Sequence, residues 1–200
     1  KLLSELNATF PGCPIVGGLV SGGNQAGEHV LFHRTEILRE GAVGVAMTGN
    51  IQLDTIISPG CRPIGKPFVV TNAEDNIVWE LGGRQTLEVL REVLTGLSPA
   101  DQELAQQAIF AGLAMNEMKP KFQTGDFLIR QLVGVDPPSG AIAVSESIHI
   151  GQTLQFHLRD PRSSKQELQR LVQAQITSKE TSPPAGALVF NCSGRGKAFY

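Results

Sequence analysis

Cysteine is scarce in this chain: only Cys13, Cys61 and Cys192 occur, with no CxxC spacing among them. An odd, scattered set argues against a disulfide scaffold or a structural zinc knuckle and fits a reducing compartment, so a cytoplasmic setting is expected. Aromatics make up 6% of the residues, with one Trp and one Tyr, too few for a base-stacking platform or a carbohydrate-stacking wall. Neither sign of charge dominates, with 17 Lys+Arg against 19 Asp+Glu. The longest basic cluster is Arg195-Gly196-Lys197, and no nucleic-acid partner is expected from so short a run. No apolar run approaches the length of a membrane span, so none is expected. His29, His33, His149 and His157 are scattered. The spacing of His29 and His33 would suit a metal on a helix, but Gly27 and the apolar neighbours suggest a strand or loop. Val30 stands where a zinc-protease pattern needs glutamate, and no third ligand lies nearby. No metal and no cofactor are expected.

What is present is an ordinary folding composition, with 41% hydrophobic residues and a mean hydropathy of −0.02. Lys1 opens the chain without an initiator Met, and Tyr200 follows soon after an apolar run. A fragment of a larger protein is therefore expected.

The first half reads as short strands. Pro14 to Val20 is apolar and runs into a glycine-rich turn. Gly41–Met47 and Ile51–Ile57 flank Thr48-Gly49-Asn50, predicting an antiparallel hairpin. Gly60–Gly65 predicts a turn, and strands follow around Phe68–Thr71 and Asn76–Leu81. Leu87, Leu90, Leu94 and Leu97 make one apolar helical stripe, predicting a helix over Thr86–Leu97. Ser98-Pro99-Ala100-Asp101 has the pattern of a capped helix start. Strands are predicted through Ile109–Met115, Phe127–Val135, Ala141–Val144 and Gln152–Leu158. Asp160 and Pro161 open a helix over Asp160–Ala174 whose apolar face would carry Leu168, Leu171 and Val172. Ser178 to Pro184 reads as a surface loop, and Ala187–Phe190 as a last buried strand. The expected class is α+β: largely antiparallel sheets built from hairpins with flanking helices, in two halves.

Several segments, in order, resemble the FIST family, named for F-box and intracellular signal transduction proteins. They are Gly17–Gly23, Glu40–Ala46, Gly60–Gly65, Gly125–Arg130, Val135-Asp136, Gly151-Gln152, Phe156–Asp160 and Cys192–Gly196. The resemblance implies the end of a FIST N region over residues 1–82 and most of a FIST C region over 83–200, joined near Gly82-Gly83. It implies an intracellular sensory domain that binds a small molecule, such as an amino acid or another small anion, and not an enzyme. A signalling output domain or protein partner would lie outside this chain.

Candidate ligand residues gather at three places. In Gly60–Gly65, Arg62 beside Cys61 would suit a carboxylate, since guanidinium offers paired donors; equally, it would salt-bridge at a structural corner. In Cys192-Ser193-Gly194-Arg195-Gly196, the backbone N–H groups and Arg195 would hold an anion, and a nearby cation would activate Cys192; equally, Cys192 is a structural cysteine before a turn. In Phe156–Asp160, alternation puts His157 and Arg159 on one strand face, either lining a polar pocket or satisfied locally while Asp160 caps the next helix. The candidate set is Cys61, Arg62, Arg159, Cys192, Gly194, Arg195 and Gly196, with the two glycine-bearing turns expected to share a cavity. Two other functions compete: an interaction scaffold without a working pocket, and a Cys-dependent hydrolase using Cys192 or Cys61 with His157.

Overall fold

The computed structural model describes residues 2–20, 25, 27–107, 109–123, 125–177, 184–192 and 195–196. They fall into two compact units: Lys1–Ile56 with Thr181–Tyr200, and Ile57–Glu180.

The first unit begins with helix α1 (Leu2–Thr9), followed later by a hairpin of β1 (Leu31–His33) and β2 (Glu36–Leu38). The hairpin turns through Arg34, which holds a positive φ of 55°, a position with no glycine to mark it in sequence. The strands expected at Pro14–Val20, at Gly41–Met47 with Ile51–Ile57, and at Ala187–Phe190 are not formed. Among the described residues these stretches carry no regular element, and their side chains are exposed, Val45 at 82% and Val189 at 85%. Alternation sets a strand's faces, but a strand also needs a neighbour for its N–H and C=O groups, and none pairs here. The Gly49 turn itself closes, with Ile51 N donating to Gly49 O at 2.9 Å. Of the Ser178–Pro184 loop, only Pro184 is among the described residues.

The second unit holds β3 (Cys61–Glu74), β4 (Ile77–Leu81), β5 (Arg84–Gln85), α2 (Thr86–Thr95), α3 (Pro99–Gln107), β6 (Ile109–Ala114), β7 (Phe127–Asp136), β8 (Ala141–Val144), β9 (Thr153–Arg159) and α4 (Pro161–Thr177). The strands run in the order β3-β9-β6-β7-β8-β4, and β4 pairs back to β3, so six antiparallel strands close into a barrel with β5 hung on β4. Closure removes the exposed edges that an open sheet would present. The expected α+β class with hairpin-built antiparallel sheets is what forms. Gly82 and Gly83 make the two-residue turn between β4 and β5 with φ of 58° and 74°, a left-handed pair that favours glycine at both positions.

The barrel interior is filled by Val70, Val78, Leu81, Leu113, Ile142, Val144, Leu154, Phe156 and Leu158. Helix α2 adds Leu87, Val89 and Leu90 to this core, as its leucine stripe predicts, with Leu94 and Leu97 packed against it. Ser98 caps α3, its hydroxyl accepting from Asp101 N at 3.3 Å.

Helix α4 lies where expected, but its buried face is shifted: of the expected apolar residues only Leu171 is half-buried, on the side of Ser164 and Glu167. Its buried residues are Ser164 and Glu167, while Leu168 and Val172 are exposed at 42% and 39%. A buried carboxylate with partners outbids the apolar stripe for this face.

Candidate functional site

The segment Gly60–Gly65 is not a turn. Cys61 starts β3, and Cys61 to Ile64 pair in register with Arg159 to Phe156 of β9. Pro63 pairs in register with His157, while Gly65 and Pro67 fall in an irregularity between Ile64 and Phe68. Cys61 is buried at 4% exposure, opposite Arg159. The chain entering β3 is held by Glu167, whose Oε2 accepts from Ser58 Oγ at 2.8 Å and Gly60 N at 3.1 Å. Glu167 escaped the sequence reading because its apolar neighbours drew the helix face to themselves.

Arg62 binds two carboxylates. It donates through Nη2 to Asp101 in the first turn of α3 and through Nε to Asp160 at 3.4 Å. Asp160 caps α4, accepting from Arg162 N at 3.0 Å and Ser163 Oγ at 2.5 Å. Partial burial pushes the Asp160 pKa up, but the Ser163 hydroxyl, the Arg162 and Ser163 N–H groups and the Arg62 charge outweigh it and hold it below the usual carboxylate value. The local salt bridge is therefore formed at Arg62, tying β3 to the starts of α3 and α4.

Arg159 differs. Its guanidinium lies over the Phe110 ring, 4.3 Å from the centroid, and its Nε is buried without a hydrogen-bond partner. Among the described residues no carboxylate pairs with it.

His157 shares the outer face of β9 with Arg159, as the alternation predicts, but it is not a surface residue. It is 3% exposed. Its Nδ1 donates to Gln155 O at 2.9 Å, and its ring stands edge-on to Phe127 at 5.1 Å. Room for the ring comes from Gly112 on the neighbouring strand, where a Cβ would fall 2.3 Å from His157 Cε1. Burial pushes the His157 pKa down, against the smaller effect of the Gln155 carbonyl, favouring the neutral imidazole.

Above this face runs an open groove of about 680 Å³, walled by Pro63 and Pro67 of β3, Phe127 of β7, Gln155 of β9 and residues 120–123 of the β6–β7 connection. The sequence reading missed it, because its walls come from four separate stretches of chain.

Cys192 and Arg195 belong to the first unit. Cys192 is exposed, and Arg195 N donates to Cys192 O at 2.9 Å, closing the expected turn; Gly194 lies outside the described residues, and Gly196 is half-buried. No group of three His, Cys, Asp or Glu is placed to hold a metal among the described residues, and His33 instead faces Glu36 at 3.9 Å. No helix among them is long and apolar enough to cross a membrane.

Fold and site define an antiparallel-barrel domain with flanking helices, an arginine on the barrel's outer face without a carboxylate partner among the described residues, and a groove along the same face. Residues 1–84 match the FIST N domain and residues 86–199 the FIST C domain, so the chain belongs to the FIST family. This is a family of signal-transduction sensory domains, not an enzyme family. An uncharacterised protein of Mycobacterium tuberculosis is 40% identical over 199 residues, covering 100% of this chain and 51% of its own length. An uncharacterised protein of Mycobacterium bovis is 39% identical with the same coverage. The chain thus spans about half the length of these relatives. No solved structure matches it.

Proposed function

We propose that this chain is the ligand-sensing part of a cytoplasmic signal-transduction protein, and that its ligand is a small anion such as an amino acid or another carboxylate. The observation that carries this reading is Arg159, a guanidinium stacked on Phe110 with its Nε unsatisfied and no carboxylate partner among the described residues. A buried donor left unpaired costs about 1–3 kcal/mol, which an incoming oxyanion would recover. Arg62 is already neutralised by Asp101 and Asp160 and would support the site by fixing the neighbouring strand. Cys61 would stand beside it at the opposing position on β3, and Cys192, Gly194, Arg195 and Gly196 would offer an anion contact in their own turn. Output would pass to a domain or partner beyond this chain.

Of the hydrolase alternative, which would use Cys192 or Cys61 with His157, the Cys61 form loses support from burial, Cys61 and His157 being 4% and 3% exposed, while Cys192 is exposed. The scaffold reading draws on the exposed apolar residues of the first unit, among them Leu19 at 97% and Val45 at 82%. Isothermal titration of the full chain with acetate, succinate, glycine and aspartate separates the two. Saturable heat that disappears in Arg159→Ala supports the sensor. Absence of heat from every member of the panel removes the ligand from the account and leaves the scaffold.

A further inference from the structure

The connection between β6 and β7 is tied down at its base. Met115 N donates to Asp126 O at 3.0 Å, Lys119 Nζ meets Asp126 Oδ1 at 2.5 Å, and Gln123 N donates to Asp126 Oδ2 at 2.8 Å. Glu117 reaches across to β9 and accepts from both the N–H and the hydroxyl of Thr153. With its base pinched, the loop presents Phe122 to Phe127, the ring centroids 5.1 Å apart. The loop therefore forms one wall of the groove, and the barrel strands form the other.

The chemistry of the walls is selective. Flat apolar faces come from Pro63, Pro67, Phe122 and Phe127. The polar part is small: Gln155, whose Nε2 is committed to Gly65 O at 2.9 Å and whose Oε1 accepts no hydrogen bond from the described residues, together with Gln123 and Lys121. Among the described residues no carboxylate lines the groove and Lys121 makes no ion pair, its neighbour Lys119 having taken Asp126. An apolar cleft of this size with a few polar groups is how small-molecule sites are built. Beneath it the floor is fixed, since His157 fills the space left by Gly112 and buttresses Phe127.

The geometry points to this groove as a binding site for a small aromatic carboxylate, its ring held among Phe122, Phe127, Pro63 and Pro67 and its carboxylate met by Lys121. The site is separate from the Arg159 contact. Gln155 and Arg159 lie four residues apart on β9, about 13 Å along an extended strand, so a single small ring acid would not bridge both. It is also independent of it: either site stands if the other fails.

The test is titration of the full chain with benzoate and indole-3-acetate, followed by calorimetry and by saturation-transfer NMR of the ligand protons, with benzamide and acetate as controls. Binding of the aromatic acids should be saturable, and at least fivefold tighter than that of benzamide or acetate at this site. Phe122→Ala and Lys121→Gln should each weaken it at least fivefold, and Arg159→Ala should leave it unchanged. Circular dichroism and thermal unfolding serve as the folding control; Lys121→Gln, an exposed change, carries the test should Phe122→Ala fail to fold. Absence of aromatic-acid binding overturns the assignment, as does binding that survives both groove variants. Loss of aromatic-acid binding in Arg159→Ala alone would also overturn it, while supporting the Arg159 anion site.

Discussion

The His157 imidazole sits where another strand's side chain would normally be, and two consequences follow at that single position. Gly112→Ala would put a methyl 2.3 Å from Cε1 and 2.5 Å from Nδ1 of the ring, and 3.0 Å from Phe127 Cβ. Overpacking of this kind costs about 1–3 kcal/mol, and urea denaturation should show that loss, reduced when His157→Ala is added to relieve the clash. The second consequence is a pH dependence. Burial lowers the folded pKa of His157 beneath its ordinary value of 6.5, so between those two values the unfolded chain binds the extra proton. Stability is then flat above pH 6.5 and falls as pH drops below it, by up to about 1.4 kcal/mol per pH unit, until the buried ring protonates. Denaturation at pH 7.5 and 5.0 should show a larger drop for the wild type than for His157→Gln; equal drops would mean the ring is not held neutral.

Among the elements, α4 buries two polar residues, Ser164 and Glu167, and none of its leucines fully. Its cap was readable, since Asp160-Pro161 has the form of a helix start, and Asp160 does accept from Arg162 N and Ser163 Oγ. Its buried face was not, because Glu167 gains its place only from Ser58 and Gly60, more than a hundred residues away. Glu167→Ala should leave the Ser58 hydroxyl and Gly60 N–H without this acceptor and cost about 1–3 kcal/mol, whereas Leu168→Ala, at an exposed position, should cost less than about 0.5 kcal/mol. A chemical-denaturation comparison of the two variants checks this ranking, and a larger loss at Leu168 would reverse it. Strand β3 carries the same lesson. Gly60–Gly65 reads locally as a turn, but β9 supplies a partner register for Cys61 to Ile64, Pro63 included, and the irregular stretch begins only after Ile64. The 41–57 hairpin is the converse, good local alternation around Gly49 with no partner among the described residues.

For the molecule as a whole, class and family were legible because they rest on ordered local signals: leucine steps, caps, hairpin turns and short motifs. Barrel closure was not, since the pairing of β3 with both β4 and β9 depends on contacts distant in sequence. Arg159 was singled out from alternation within a family-like segment, Phe156–Asp160, yet its lack of a carboxylate partner among the described residues could not be read there, since Asp101 and Asp160 both pair with Arg62. On the proposed reading, that partition would leave Arg159 for a ligand. The most direct measurement is thermal unfolding of the full wild-type chain and Arg159→Ala across three decades of the best-binding small carboxylate. The account predicts wild-type stabilisation rising by about 1.4 kcal/mol per decade once ligand exceeds its Kd, with no rise in Arg159→Ala. Equal stabilisation of both proteins, or of neither, would contradict it.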